Sequence, residues 1–238
     1  MFFNKQHRKR FVFFERNQLM TRSDHLNSMF RQKYFPGFSR TDLIQFRAYY
    51  MTQFKTQKNL EQKVGWNSKK GQKERFEIFL KIGELNHQKL LDIGCGLGAF
   101  CQFLYRKKIS AQYIGIDLFP EILQTAQQMN PQGYFEVRHL LMKPYPAGRF
   151  DFSFLSGLFN IQIQDNWKYM KSILTVALKQ TKKAVAFNIL NRELVFQESN
   201  RFSVNAAEIV RFARQLPVRQ VKIFDHYHPV DLTLFLYK

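Results

Sequence analysis

From residue 89 to residue 214, short apolar runs alternate with longer stretches in which apolar positions recur every three or four residues. The runs predict strands at 89–93, 112–116, 133–137, 150–155 and 183–189, and the longer stretches predict helices at 98–107, 120–129, 165–180 and 206–214. Strand and helix in strict alternation build a mainly parallel sheet. Two last runs, "VRQVKIFDHY" and "LTLFLYK", are parted by a "HP" turn and predict an antiparallel hairpin at the sheet edge. Upstream, Thr21 to Lys63 reads as helical, broken at Pro36-Gly37 and restarted by "SRTD" at Ser39–Asp42. In the restarted helix Leu43, Phe46, Tyr50 and Phe54 form a stripe that needs something to cover. A further helix over about 70–85 puts Phe76, Phe79 and Leu80 on one face. The expected architecture is therefore α/β, a doubly wound sheet over 64–238 preceded by a helical extension over 1–63.

Composition changes this picture in one place. The chain of 238 residues carries 37 Lys and Arg against 18 Asp and Glu, a net +19, and residues 1–75 hold 17 of the basic residues against 5 acidic ones. A basic front segment could meet RNA, an anionic surface or an acidic partner, or simply be a solvated face. Its charges are interrupted by Phe, Tyr, Gln and Asn, so no compact polybasic tract forms. With 26 Phe the chain is too aromatic for wholesale disorder. Its two cysteines, Cys95 and Cys101, form neither a disulfide framework nor a paired zinc site, which fits a reducing, cytoplasmic setting. No stretch has the length and freedom from charge of a membrane span or secretory signal.

Candidate chemistry centres on "KLLDIGCGLGAF" at 89–100. Gly94, Gly96 and Gly98 leave a strand and enter a helix, where open α/β sheets bind ligands. By themselves they establish only a sharp turn and a close approach. "YIGIDLF" at 113–119 adds a second strand ending in Asp117, whose carboxylate can accept both hydroxyls of a ribose. The alternate spacing Gly-x-Gly-x-Gly after Asp92 differs from the dinucleotide pattern Gly-x-Gly-x-x-Gly, and no Gly-Lys-Ser or Gly-Lys-Thr of a P-loop follows.

"LLDIGCGLG" resembles the first motif of the Rossmann-like, class I S-adenosylmethionine-dependent methyltransferases, and "GIDLFPEIL" resembles their second. The likeness runs over roughly 64–238 and takes in "VGWNSKKGQKERF", "FDFSFLSGLFN" and the terminal "LTLFLYK", as in bacterial methyltransferase-domain proteins. It implies S-adenosylmethionine as cofactor, with the Gly94-Cys95-Gly96 loop against its methionine part and Asp92 positioning its amino group. Asp117 would hold the ribose and Leu118 flank the adenine. Where the family often places an acid near the adenine amine this chain has His139, so that contact falls to His139 or the Leu140 backbone; the alternative is a surface-loop histidine.

Ser156 ends the fourth strand at the mouth of the site, with Asn160 and Asn188 as substrate-side candidates and helix caps as their alternative role. Trp66 and Gln72, with Phe76, precede the loop and either fold over the cofactor or serve as packing. No catalytic residue can be selected, since an in-line displacement at a sulfonium needs alignment more than a base. His226 and His228 alternate in an expected strand beside Asp225, too few ligands for a metal site, and none is expected. "SFLSGLFN" lacks the Pro-Pro-Tyr signature of DNA-amine methylation, and neither cysteine is placed for attack on cytosine. Transfer to oxygen or nitrogen of a small molecule leads, RNA methylation is second, and a scaffold that has lost catalysis is third.

Overall fold

The computed structural model describes residues 36–66, 68–193 and 200–238. The helical stretch expected from Thr21 to the Pro36 break lies outside them. The described residues belong to one compact unit.

The helices are α1 (Arg40–Thr56), α2 (Lys69–Phe79), α3 (Ala99–Arg106), α4 (Pro120–Met129), α5 (Asn166–Gln180) and α6 (Ala206–Ala213). The strands are β1 (Lys89–Ile93), β2 (Gln112–Asp117), β3 (Tyr134–Val137), β4 (Phe150–Leu155), β5 (Thr181–Asn191), β6 (Ser203–Val204), β7 (Gln220–Phe224) and β8 (Asp231–Tyr237). They form one sheet in the order β3-β2-β1-β4-β5-β8-β7, with β6 paired to β5. Strands β3 to β5 run parallel in their pairings with β2, β1 and β4, and β8 is antiparallel to both β5 and β7. This is the expected Rossmann-like sheet with its antiparallel end. Successive strands are added on one side of β1 as β2 and β3 and on its other side as β4 and β5, and this switch in winding opens the crevice at the carboxyl ends of the strands.

One face of the sheet is sealed by α2 and α3 through phenylalanine. Phe154 of β4 lies 5.3 Å from Phe79 and 4.8 Å from Phe100, ring centre to ring centre, and all three are buried. Such tilted ring pairs contribute about 0.5–1.5 kcal/mol each beyond the area they bury. This face fixes the height of the loop between β1 and α3.

Helix α1 starts where "SRTD" predicts. Ser39 Oγ accepts from Asp42 N at 3.1 Å and Asp42 Oδ2 accepts from Ser39 N at 2.7 Å, a reciprocal capping box. The other Asp42 oxygen accepts from Gln164 N at 3.1 Å, and Arg47 pairs with Glu121 of α4 at 3.0 Å. Phe38 stacks on Tyr169 of α5 at 5.0 Å. The apolar stripe thus covers the carboxyl edge of the sheet, and α1, expected within the extension, packs as part of the compact unit.

The hairpin differs from expectation in its turn. β7 ends at Phe224, so His226 and His228 sit in the connection to β8 and not in a strand. His226 is exposed while His228 is largely buried, because the turn folds one imidazole inward against α2 and β8. Strand β6, only two residues long, has no counterpart in the sequence reading.

Candidate active site

The loop leaving β1 is tied to β2 before any ligand is considered. Gly94 N and Cys95 N both donate to Ile116 O, at 2.8 and 3.1 Å. Gly96 N donates to Asp117 Oδ2 at 2.9 Å, and Leu118 N to Asp117 Oδ1 at 2.6 Å. Burial raises the Asp117 pKa, and these main-chain donors oppose that shift. The carboxylate at the tip of β2 therefore holds the glycine loop in shape while standing at the crevice.

Gly94 and Gly96 are crowded by the protein itself. A Cβ would meet Leu158 Cδ1 at 2.9 Å from Gly94 and Val64 Cγ1 at 3.2 Å from Gly96. Gly98 has φ +73°, and a Cβ there would lie 2.7 Å from Phe135 Cζ and 2.8 Å from Asn130 Nδ2. Gly98→Ala is expected to cost about 3 kcal/mol, from the left-handed backbone and the overlap together, measured as a fall in urea midpoint at constant slope.

Asp92 is buried, and its Oδ2 accepts from the Tyr113 hydroxyl at 2.5 Å. Burial pushes its pKa up to about 7 despite that bond. The Cys95 side chain packs with Leu123 and Ala126, and burial pushes its thiol well up, so it is no nucleophile. His139 is not a surface histidine: it is 3% exposed, and burial lowers its pKa to about 4. The imidazole is neutral at neutral pH, and Leu140 beside it is buried. Neighbouring Arg138 pairs with Glu136 at 2.7 Å and lies 3.9 Å over the Tyr145 ring.

These groups line one cavity of about 380 Å³. Asp92, Gly94, Cys95, Gly96, Asp117 and Leu118 form its floor, and His139, Leu140 and Ser156 its sides. Trp66, Gln72 and Asn160 also face it. Asn188 does not line it. Fully buried, Asn188 accepts from Gly157 N at 2.7 Å and donates to Ser156 Oγ at 3.2 Å, bonds that shape the end of β4.

Residues 91–182 match the family model described as a methyltransferase domain. Over 108 residues the chain is 34% identical to ajmaline N-methyltransferase of Rauvolfia serpentina, covering 43% of this chain and 36% of that one. It is 31% identical over 106 residues to ribosomal protein L11 methyltransferase of Burkholderia ambifaria, covering 44% and 33%. The chain thus spans about a third of the length of these curated relatives. Among solved structures, a SAM-dependent methyltransferase from Archaeoglobus fulgidus superposes with a TM-score of 0.58 at 15% identity, over 75% of this chain and 97% of that one.

Residues 91–182 thus match a methyltransferase domain, and the fold is that of the SAM-dependent methyltransferase from Archaeoglobus fulgidus.

The cavity has a second half that the sequence did not reveal. Phe38, Phe46, Tyr49 and Tyr50 line it from the α1 side, with Phe119 and Tyr169 facing them. The stripe on α1 was visible in the sequence, but its partners lie far along the chain and nothing local marks them. Arg75 and His228 also border the cavity. Both contact the fully buried carboxylate of Asp231, His228 through Nδ1 at 2.6 Å, and Arg75 lies 4.3 Å over the Trp66 ring. Among the described residues there is no group of three or more possible metal ligands, and no helix is long and apolar enough to cross a membrane.

Proposed function

We propose that the chain binds S-adenosylmethionine and transfers its methyl group to an oxygen or nitrogen of a small-molecule acceptor. One observation carries this reading: Asp117, at the tip of β2, reaches back to Gly96 N of the glycine loop and borders a cavity of about 380 Å³. The size suits a small ligand, since such sites usually measure about 300–1,000 Å³. The donor set suits a nucleoside with a charged tail. Asp117 would take the ribose hydroxyls, the loop main chain and Asp92 the methionine end, and Leu118, Leu140 and neutral His139 the adenine. Trp66 and Gln72 would close over it.

When bound, the cofactor supplies an electrophilic methyl carbon whose bond to sulfur breaks with the electron pair going to sulfur. What this chain must do is align the acceptor lone pair with that carbon and exclude water, while the acceptor proton passes to solvent. Asn160 borders the cavity and would orient an acceptor. A small acceptor is favoured over RNA because α1 residues Phe46, Tyr49 and Tyr50 bring aromatic rings to the cavity wall, while the Arg75 guanidinium on that wall is paired with Asp231.

The test is calorimetry with S-adenosylhomocysteine, followed by transfer of labelled methyl from S-adenosylmethionine into small-molecule and RNA fractions. Absence of binding would refute the cofactor; label only in RNA would refute the acceptor.

Asp92 gives the binding a pH signature. Its folded pKa of about 7 lies above the ordinary aspartate value of 3.8. In the free protein its effect is to make stability fall as pH rises from about 4 through 7, because the unfolded chain has already lost the proton that the folded one keeps. His139, lowered from 6.5 to about 4, acts oppositely between those values. Pairing with the cofactor ammonium would ionise Asp92, so binding near neutral pH should release a proton. Affinity should be higher at pH 8 than at pH 6, with heats that depend on buffer ionisation. In Asp92→Asn both effects should vanish.

A further inference from the structure

We infer that His228 is the general base of the transfer, taking the acceptor proton on Nε2 while Asp231 holds its ring in position; the inference rests on the methyltransferase reading above and supplies the catalytic group that the sequence left open.

Placement comes first. Across the carboxyl edge of the sheet the strands follow one another as β2, β1, β4, β5 and β8. With the nucleoside on Asp117 of β2 and the methionine end against the β1 loop, the space left for an acceptor lies towards β4, β5 and β8. Leu190, near the end of β5, borders the cavity on that side, as do His228 and Val230 just before β8. Asp231 pairs with Leu190 across the two strands, which brings the connection carrying His228 to this end of the cavity.

The ring is arranged to receive a proton on one nitrogen. Nδ1 lies 2.6 Å from Asp231 Oδ2, and the aspartate side chain is fully buried. Two lone pairs do not approach so closely, so Nδ1 carries the proton and Nε2 the free pair. Val230 N also reaches Nδ1, at 3.3 Å, the longer and weaker of the two contacts. Nε2 has no hydrogen-bond partner among the described residues and is not sealed off, the side chain being 11% exposed. Gly71 of α2, which borders the cavity too, leaves that nitrogen its room, since a Cβ there would meet it at 2.9 Å.

Charge gives the direction of transfer. The groups facing the imidazole are Glu74 and Arg75 of α2 and Asp231 of β8. Glu74 Oε2 is 3.9 Å from Nε2, and Arg75 contacts the same Asp231 oxygen as Nδ1 does. Two carboxylates and one guanidinium leave a single negative charge, which an imidazolium cancels. Tyr227, its ring centre 6.1 Å away, is bonded through its hydroxyl to Thr233, and burial keeps it neutral. In the reaction the acceptor heteroatom bonds to the methyl carbon, the carbon–sulfur pair goes to sulfur, and the O–H or N–H bond breaks towards Nε2. The positive charge that leaves sulfur reappears on His228, so the closed site keeps its net charge. Glu74, whose side chain is 34% exposed, then offers the proton a way to solvent.

Two measurements test the assignment. Nitrogen NMR of the imidazole rings in the full chain, at a pH where they are neutral, should show the His228 proton on Nδ1. In the double variant Arg75→Met with Asp231→Leu, which removes both members of the ion pair, it should move to Nε2, because Val230 N then faces Nδ1 without competition. A proton on Nε2 in the unaltered protein would overturn the inference. The second measurement follows labelled methyl from S-adenosylmethionine into a deproteinised cell extract across a range of pH. His228→Gln should bind S-adenosylhomocysteine as before yet transfer at least about 100-fold more slowly, without the fall in rate towards acid pH that the unaltered protein shows. In His228→Ala, added imidazole should restore transfer, which a packing role would not allow. Transfer by His228→Gln at the unaltered rate, or a loss in His228→Ala that imidazole does not relieve, would overturn the base. If the unaltered protein fails to bind S-adenosylhomocysteine, or binds it and transfers no label, the methyltransferase reading falls and the base with it. If it binds and transfers while the tautomer or the rescue fails, only the base falls.

Discussion

Asp117→Ala is expected to weaken S-adenosylhomocysteine binding about 100-fold. Two hydrogen bonds to a charged group, at about 1.5–3 kcal/mol each, give roughly 3 kcal/mol, and every 1.4 kcal/mol is a factor of ten. The loss has a second source. Asp117 holds Gly96 N at 2.9 Å and Leu118 N at 2.6 Å, so its removal also leaves two main-chain donors without their acceptor and lets the loop relax. Asp117→Asn separates the two effects, because the amide oxygen can still accept from one of those donors but cannot accept from both ribose hydroxyls. Calorimetry should therefore rank the proteins as unaltered, then Asn, then Ala, with thermal melting showing the smaller change for Asn. Equal affinity in all three would mean that the nucleoside does not rest on β2, and the placement of the cofactor would have to be abandoned.

The parts of the domain that the sequence disclosed are those decided by local pattern. β1 at Lys89–Ile93 and α4 at Pro120–Met129 fall where their apolar spacing puts them, because a strand buried on both faces reads as a continuous run and an amphipathic helix as a stripe. The glycine loop and Asp117 were legible for the same reason, as each ends such a run. What pattern cannot carry is the partner. Leu43 and Phe46 announced a covered face, yet the bond that seats α1, from Gln164 N to Asp42, spans 122 positions.

Asn160 and Asn188 look equivalent in the sequence, both polar and both following strands. Only the direction of each side chain separates them, and Asn188 turns inward to Gly157 N. His139 lines the crevice, but its burial depends on Leu140 and the cavity wall closing around it, which no spacing records. Strand β6 is too short for any alternation to register.

The largest effect on stability is expected at Asp231, a residue the sequence did not single out. Its carboxylate is fully buried and contacts Arg75, whose side chain is 9% exposed, and His228 Nδ1 at 2.6 Å. Asp231→Ala would leave the Arg75 guanidinium buried without its counter-charge, which costs about 3–5 kcal/mol. For a unit of this size, at roughly 2–4 °C per kcal/mol, the melting temperature should fall by about 10 °C. The pair itself need not be a net source of stability, since desolvating two charges offsets most of their attraction. The double variant Arg75→Met with Asp231→Leu should accordingly recover most of the loss, while Arg75→Met alone should not, because it strands the carboxylate instead. Tryptophan emission offers an independent readout. Arg75 lies over Trp66 at the cavity wall, so Asp231→Ala should also shift the tryptophan emission of the free protein. If Asp231→Ala melted within about 1 °C of the unaltered protein, the junction between α2 and the end hairpin would be held by ring packing alone, and the ion pair would be incidental to the wall of the site.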